Sequence, residues 1–502
     1  MTEPSALTRR RFMEVTAMLA AASGLPGCSS SGNSVAITPV QATNPQPVPT
    51  GAVTAATVTV SATTAGTIGA GFAGLSYEKN AVVTEPLFTA GNTNLIGLFK
   101  RLGTSVLRVG GNSVDKNVWT PNGAGQTYGQ VAPSDVAALA GFLKATGWQI
   151  IYGINLGGSA TGATTPALAA AEVAYAAQQF GSSLLGIEIG NECDLYGNTG
   201  NYYAGNWSLA QFEALWSQYR AAILAVTPGV PITGPADAGS ESTWTVPFGQ
   251  YATKQQIVLL TQHYYRANGQ LPTSTVQYLV TPDTTLVSDL AILQAGAQAI
   301  GVPYRMSECN SYYNGGADGV SDAYASSLWV LDYLFDCALG GASGVNFHGG
   351  GNADGYTPIA DSNGVVQMAR PEYYGILLFA LAGQGTLLQT QITAGGLNAT
   401  AYAVKSASGG INVILVNKDS AQNLTVTMQL PQTIHTATLL ELTQSTSGAA
   451  PSLSATSGVT IQGATVNVDG TFAPAAAYTL SASGTQVTCY VPYLSAVLIS
   501  LS

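Results

Sequence analysis

Eight short apolar runs, each followed by a stretch of helical character, fill residues 67 to 385, and this alternation constrains the fold more than any other feature. The runs are TIGAGFAGLSYE (67–78), TSVLRVGG (104–111), WQIIYGINLGG (148–158), SLLGIEIGNE (183–192), VPITGPADAG (230–239), QIVLLTQHYY (256–265), VPYRMSECNS (302–311) and GASGVNFHGG (341–350). Between them, SLAQFEALWSQYRAAILAV (208–226) opens on a serine cap and repeats apolar residues at spacings of three and four, as does SDAYASSLWVLDYLFDCAL (321–339). RPEYYGILLFALAG (370–383) closes the series with a proline near its start. Strands alternating with helices imply βαβ units and a parallel sheet, and eight repeats point to a closed (β/α)8 barrel over 67–385. From about residue 386 the pattern becomes short alternating strands with Gly, Asn or Ser turns, which predicts an antiparallel β-sandwich over 386–502. AVTAATVTVSA (52–62) precedes the barrel and is expected to pair into that sandwich, as an N-terminal strand over 53–66.

The first 28 residues read as an address. Arg9-Arg10-Arg11-Phe12 forms a twin-arginine pattern, a small-residue apolar stretch follows, and LPGC (25–28) resembles a lipoprotein box with an atypical proline. The expectation is an exported bacterial protein, periplasmic, extracellular or tethered to a membrane by a lipid on Cys28. Residues 29–52, rich in Ser, Asn, Pro and Thr, read as a flexible linker. No later apolar run reaches the length of a transmembrane helix. Cys193, Cys309, Cys337 and Cys489 have neither zinc-site spacing nor the density of a disulfide scaffold, and read as buried thiols.

Composition narrows the partners. Net charge is −10 with only 16 Lys and Arg, which excludes nucleic acid and a long polyanion held along a basic groove. A short substrate with one acidic group is still compatible. Charged residues make up 8% of the chain, against the ~25% usual in globular domains, so each carboxylate carries more information than usual.

Barrels of this type work at the C-terminal ends of their strands. Glu192 ends the fourth run and Glu308 the seventh, so the two face each other across the mouth. Glycoside hydrolysis needs such a pair: one carboxyl to protonate the leaving oxygen, and one carboxylate to attack or to activate water. His263 has no clustered ligands, and neither a metal nor a cofactor is expected. Gly69-x-Gly71-x-x-Gly74 matches a dinucleotide fingerprint but runs on into strand-like LSYEKN, so these glycines are assigned to packing in strand one.

The Asn-Glu closing strand four and the Glu closing strand seven resemble the retaining clan A glycoside hydrolases. The finer pattern is similar to the heparanase and β-glucuronidase family, glycoside hydrolase family 79. It is carried by GLSYEKN, LRVGGNSVD, IEIGNE, HYYRANG, SECNSYYNGG and NFHGGG…GYTP, with the trailing sandwich. The resemblance implies Glu192 as general acid/base, kept protonated for donation, and Glu308 as nucleophile, about 5 Å apart for retention of configuration. It implies Asn191 on the sugar 2-hydroxyl and a tyrosine on Glu308. Strand alternation puts His263 and Tyr265 on one face and Tyr264 on the other, which favours Tyr265 with Tyr264 as the alternative. His263 is expected to support the site from behind. Tyr313, Gly355 and Tyr356 match positions that hold a uronate carboxylate through neutral donors, and Glu78 and Asp115 are expected on sugar hydroxyls. Lys79, Lys116, Arg266 and Arg305 lie near strand ends without clustering, which favours exo-removal of a terminal β-linked glucuronic acid over endo-cleavage of a sulfated chain. Other readings stay open: a clan A hydrolase for neutral sugars, an endo-acting heparanase-like enzyme, and a glycan-binding surface lipoprotein.

Overall fold

The computed structural model describes residues 44–351, 355–446 and 448–502. The export signal expected over 1–28, with Cys28, and the first part of the expected linker lie outside the described residues. Eight parallel strands close into a barrel: β1 (Ala73–Glu78), β2 (Val106–Gly110), β3 (Gln149–Ile154), β4 (Leu184–Ile189), β5 (Ile232–Asp237), β6 (Leu259–Asn268), β7 (Tyr304–Tyr313) and β8 (Val345–Gly349), with β8 pairing back onto β1. Helices outside and packed residues inside bury both faces of the strands. β2, for example, is buried along its whole length although it carries Arg108. Gly74 lies inside β1, where a Cβ would run into the Val106 carbonyl oxygen. The glycine that completed the fingerprint-like motif is therefore required by the close approach of β1 to β2.

Two strand ends differ from the sequence reading. β4 stops at Ile189, so Glu192 stands three residues beyond it on a turn rather than on the strand. β7 continues to Tyr313, so Glu308 lies inside it. A register shift accounts for its position: Met306 pairs with Gln262 and Glu308 with His263, so Ser307 has no counterpart on β6. Such a bulge re-aims the side chain that follows it.

Eleven of the remaining strands form one sheet, mostly antiparallel, with ten along one hydrogen-bonded path and Tyr478–Thr479 pairing off it, and the others make two two-stranded sheets. Val53–Ile68 sits within this path, antiparallel to Gly385–Thr393 and parallel to Asn423–Gln429. The path folds over its own core, since Val58, Leu415, Val426, Leu439 and Val497 from distant strands share one apolar cluster. The linker expected over 29–52 is corrected at its end. Pro45 bridges to Thr479, and the Gln46 side chain exchanges hydrogen bonds with the Tyr490 backbone at 2.8 and 2.9 Å.

The outer face of the sheet covers the barrel helices Tyr324–Leu339 and Pro371–Ala382, which explains why both are almost wholly buried. Phe335 stacks on Tyr402 at 4.3 Å, and Asp332 accepts from Thr400 and Tyr402 while pairing with Lys418. Each large apolar side chain removed from water there contributes roughly 1.5–3 kcal/mol. No helix among the described residues is long and apolar enough to cross a membrane.

Candidate active site

After β4 the chain turns at Gly190 (φ 86°), where a Cβ would collide with the Cys193 sulfur. Glu192 then adopts a left-handed conformation, φ 47° and ψ 49°. That conformation costs a non-glycine residue roughly 1–2 kcal/mol. It is held by the Glu192 N–H donating to the Ala236 carbonyl at 2.9 Å. The carboxylate reaches the mouth with 16% of its side chain exposed, and His263 Nδ1 lies 3.1 Å from its Oε1.

Glu308 is the more enclosed of the pair. Tyr265 donates to its Oε1 at 2.9 Å and Arg108 Nη1 to its Oε2 at 2.5 Å, with His348 Nδ1 at 3.6 Å. Burial alone would raise its pKa. The charges of His348, His263 and Arg108 and the Tyr265 hydroxyl outweigh burial and hold it well below the usual carboxylate range. Oxygens of Glu192 and Glu308 and a ring nitrogen of His263 all lie within 4.8 Å of one another. The two carboxylates are thus close enough to act on one substrate atom.

Those same three residues form the one group among the described residues with ligand atoms close enough to hold a metal ion. The donor set fits a cation poorly. Both oxygens of Glu308 already accept hydrogen bonds, one of them from the buried guanidinium of Arg108, which would repel a second positive charge.

Arg108 organises the floor of the site, and sequence reasoning passed over it. Its guanidinium is fully buried and donates to Glu188, Glu308 and Asn191 at 2.7, 2.5 and 2.7 Å. The available signal was one cation inside the otherwise apolar VLRVGG. His348, on β8, was also missed. It lies between Glu308 and Glu78, with Ser76 Oγ at 3.0 Å from Nδ1. Burial would lower its pKa, but Glu308 and Glu78 raise it above the ordinary histidine value.

The other expected residues divide. Asn191 is buried with its Oδ1 on Arg108, and its amide nitrogen is 3.5 Å from Asn112 Oδ1. Glu78 sits at the mouth beside His348 and accepts from the Asn112 and Ser113 N–H groups at 3.1 and 2.7 Å. Tyr313 is 44% exposed at the rim, and its ring and that of Tyr356 lie 6.4 and 6.1 Å from Tyr265.

Three assignments are corrected. Asp115 does not face a sugar. It is 5% exposed, one oxygen accepts from Leu156 and Gly157 N–H at 2.9 Å each, and the other accepts from Tyr196, so it braces the loops after β3 and β4. Burial raises its carboxyl to about 6 against those hydrogen bonds. Tyr264 points out of the barrel to Asp283 and packs on Tyr333, as strand alternation requires of the neighbour of Tyr265. The Gly355 N–H already donates to the Gly315 carbonyl at 2.8 Å and is not available to a ligand carboxylate.

The cations near the strand ends are mostly engaged. Lys79 is buried against Glu172, Arg266 pairs with Asp283, and Arg305 lies among the carbonyls of Gly71, Phe72 and Val345 at the opposite pole of the barrel. No basic groove lines the mouth among the described residues.

With this geometry in view, comparison with known proteins is informative. A β-glucuronidase from Aspergillus niger is 26% identical over 309 residues, and the match spans 55% of this chain and 56% of that protein. A 4-O-α-L-rhamnosyl-β-D-glucuronidase from Fusarium oxysporum 12S superposes with a TM-score of 0.69 at 20% identity, covering 88% of this chain and all of that one. A family 51 arabinofuranosidase from Xanthomonas axonopodis pv. citri gives 0.63 at 14% identity, over 89% of this chain and all of that one. No family model matches the chain. The shared fold is that of glycosidase barrels.

Proposed function

We propose that this chain is a retaining, exo-acting β-glucuronidase. The observation that carries the reading is the pair Glu192–Glu308, with oxygens within 4.8 Å, one carboxylate against a histidine and the other held ionised by a buried arginine. In the first step a Glu308 oxygen attacks the anomeric carbon while the glycosidic C–O bond breaks and its oxygen takes the Glu192 proton. In the second step Glu192 takes a proton from water, the water oxygen attacks the same carbon, and the ester bond to Glu308 breaks. Asn191 donates to the sugar 2-hydroxyl.

The uronate preference is supported by the likeness to a β-glucuronidase and by the tyrosines Tyr313 and Tyr356 grouped around Tyr265. Among the described residues Lys79, Arg266 and Arg305 are engaged and Lys116 stands exposed without a cluster of cations around it, which supports removal of a terminal residue rather than cleavage within a polyanion. One observation favours a second reading, hydrolysis of a neutral glycoside. The Gly355 N–H is engaged by Gly315, which removes one donor from the carboxylate nest.

The test is hydrolysis of 4-nitrophenyl β-glucuronide beside the β-glucoside and the α-L-arabinofuranoside. Preference for the glucuronide, reduced by about 10⁴-fold in Glu308→Gln and relaxed toward the glucoside in Tyr356→Phe, supports the proposal. Equal or faster glucoside hydrolysis selects the second reading. We also propose that the chain is exported, to the periplasm, the exterior or a membrane anchor through a lipid on Cys28. Incorporation of labelled fatty acid, lost in Cys28→Ala, tests this.

A further inference from the structure

We propose that Glu188 is a positioning residue that sets the reactivity of Glu308 through Arg108. The inference rests on the two-glutamate mechanism above and deepens it.

Glu188 lies on β4, four residues before Glu192, with no exposed surface. Its Oε2 accepts from Arg108 Nε at 2.7 Å and lies 2.7 Å from Nη2. That grip fixes the plane of the guanidinium from below. Only then do the remaining donors reach upward, Nη1 to Glu308 at 2.5 Å and Nη2 to Asn191 at 2.7 Å. Nη1 also lies 3.4 Å from Ser76 Oγ.

The stoichiometry carries the argument. One guanidinium serves two carboxylates in a buried place, so Glu188 and Glu308 compete for its charge. The other oxygen of Glu188, Oε1, is buried without a hydrogen-bond partner, an arrangement that costs stability. A glutamine has the same shape and could accept the Arg108 Nε bond without a buried charge. What a glutamine lacks is the charge that competes with Glu308 for Arg108.

That competition has a direction. A carboxylate fully compensated by a cation is a weaker nucleophile and a better leaving group. Glu308 faces His348 and His263 as well as Arg108; by drawing Arg108 toward itself, Glu188 offsets part of that stabilisation, which speeds attack on the anomeric carbon. The same effect slows expulsion of Glu308 from the glycosyl ester. The other groups facing Glu308, namely His348, His263, Tyr265 and Glu192, are untouched by a substitution at Glu188, so the effect can be isolated.

The experiment uses a 2-deoxy-2-fluoro glycosyl fluoride of whichever sugar the wild-type chain hydrolyses best. The probe forms an ester with Glu308 as fluoride leaves, and the ester is later hydrolysed, so the two steps are timed separately. In Glu188→Gln the labelling rate and kcat/KM are expected to fall about tenfold, which equals about 1.4 kcal/mol, while reactivation is unchanged or faster. Glu188→Asp keeps the charge and loses the reach, and should label faster than Glu188→Gln. Circular dichroism and Tm confirm that both variants are folded.

Equal slowing of labelling and reactivation in Glu188→Gln, or labelling as fast as wild type, overturns the inference. So does Glu188→Gln outperforming Glu188→Asp, the order expected if only shape matters. A wild-type chain that is not labelled at Glu308 overturns the two-glutamate mechanism and this inference together. A labelled wild type that prefers a neutral sugar overturns the uronate reading alone.

Discussion

Replacing Tyr265 by phenylalanine removes one hydroxyl and nothing else from the nucleophile, which makes it a sharp probe of the site. The bond lost is the 2.9 Å donation to Glu308 Oε1. A hydrogen bond to a charged acceptor contributes about 1.5–3 kcal/mol, equivalent to about 10- to 150-fold in rate. The nucleophile stays ionised, because Arg108, His348 and His263 still oppose the effect of burial. The defect should therefore be constant across neutral pH. It falls on the step in which Glu308 departs as a carboxylate, where the Tyr265 hydroxyl stabilises the charge that reappears. The expected result is a kcat lowered about 10- to 150-fold, a lower KM, and a glycosyl ester that accumulates and is seen as a mass increase on the peptide carrying Glu308. Tyr264→Phe is the control. Its hydroxyl bonds Asp283 outside the barrel, so Tm should fall while kcat stays within about threefold. An unchanged kcat in Tyr265→Phe, or equal losses in the two variants, would refute the assignment.

Other expectations concern charge and stability. His348 has a raised pKa, so the stability it gains from Glu308 and Glu78 is fully present below pH 6.5 and is lost as pH rises through its folded-state value. Thermal unfolding should show the wild-type advantage over His348→Gln largest below pH 6.5 and shrinking in alkali. Asp115 is raised from 3.8 to about 6, so its ionisation costs stability progressively as pH climbs through that window. Asp115→Asn should gain up to about 3 kcal/mol at pH 7 and nothing near pH 4 in urea unfolding, with kcat/KM within about threefold. Lys418→Met breaks the half-buried pair with Asp332 and leaves that carboxylate only the Thr400 and Tyr402 hydroxyls. A loss of about 3 kcal/mol is expected. Asp336, pushed by burial to about 7 against the charge of Lys418, rises further in the variant, so the loss should be greater at pH 8 than at pH 5.

The barrel was legible because its signal is repetitive: eight apolar runs fix both the number of strands and their parallel sense. The same regularity hid the two departures that matter for chemistry. Nothing in IEIGNE shows that the strand stops at Ile189 and that a left-handed Glu192 completes the turn, since the turn is held by a contact with Ala236 on the next strand. Nor does YRMSECNS reveal the register shift at Ser307, which exists only relative to β6. Period-two alternation separated Tyr265 from Tyr264 correctly because both sit inside one regular strand. Alternation could not reach Asp115 or Gly355, whose polar groups are engaged by residues far along the chain or across a loop.

Buried charge alone does not single out the site in this molecule. Lys79 with Glu172 is a buried ion pair and Lys418 with Asp332 a half-buried one, of one cation and one anion each, and both are explained by holding elements together. Arg108 differs in its count, with one cation between two carboxylates. A structural pair gains nothing from an extra negative charge in a medium that penalises it. A nucleophile that faces Arg108, His348 and His263 does gain, because a second carboxylate on Arg108 keeps the stabilisation of the anion from becoming excessive. On the proposed mechanism the arrangement around Arg108 links the fold to the reaction: β2 supplies the cation, β4 competes for it, and β7 presents the carboxylate whose stabilisation that competition moderates. Removing the Glu188 charge should leave the barrel intact and still slow attack.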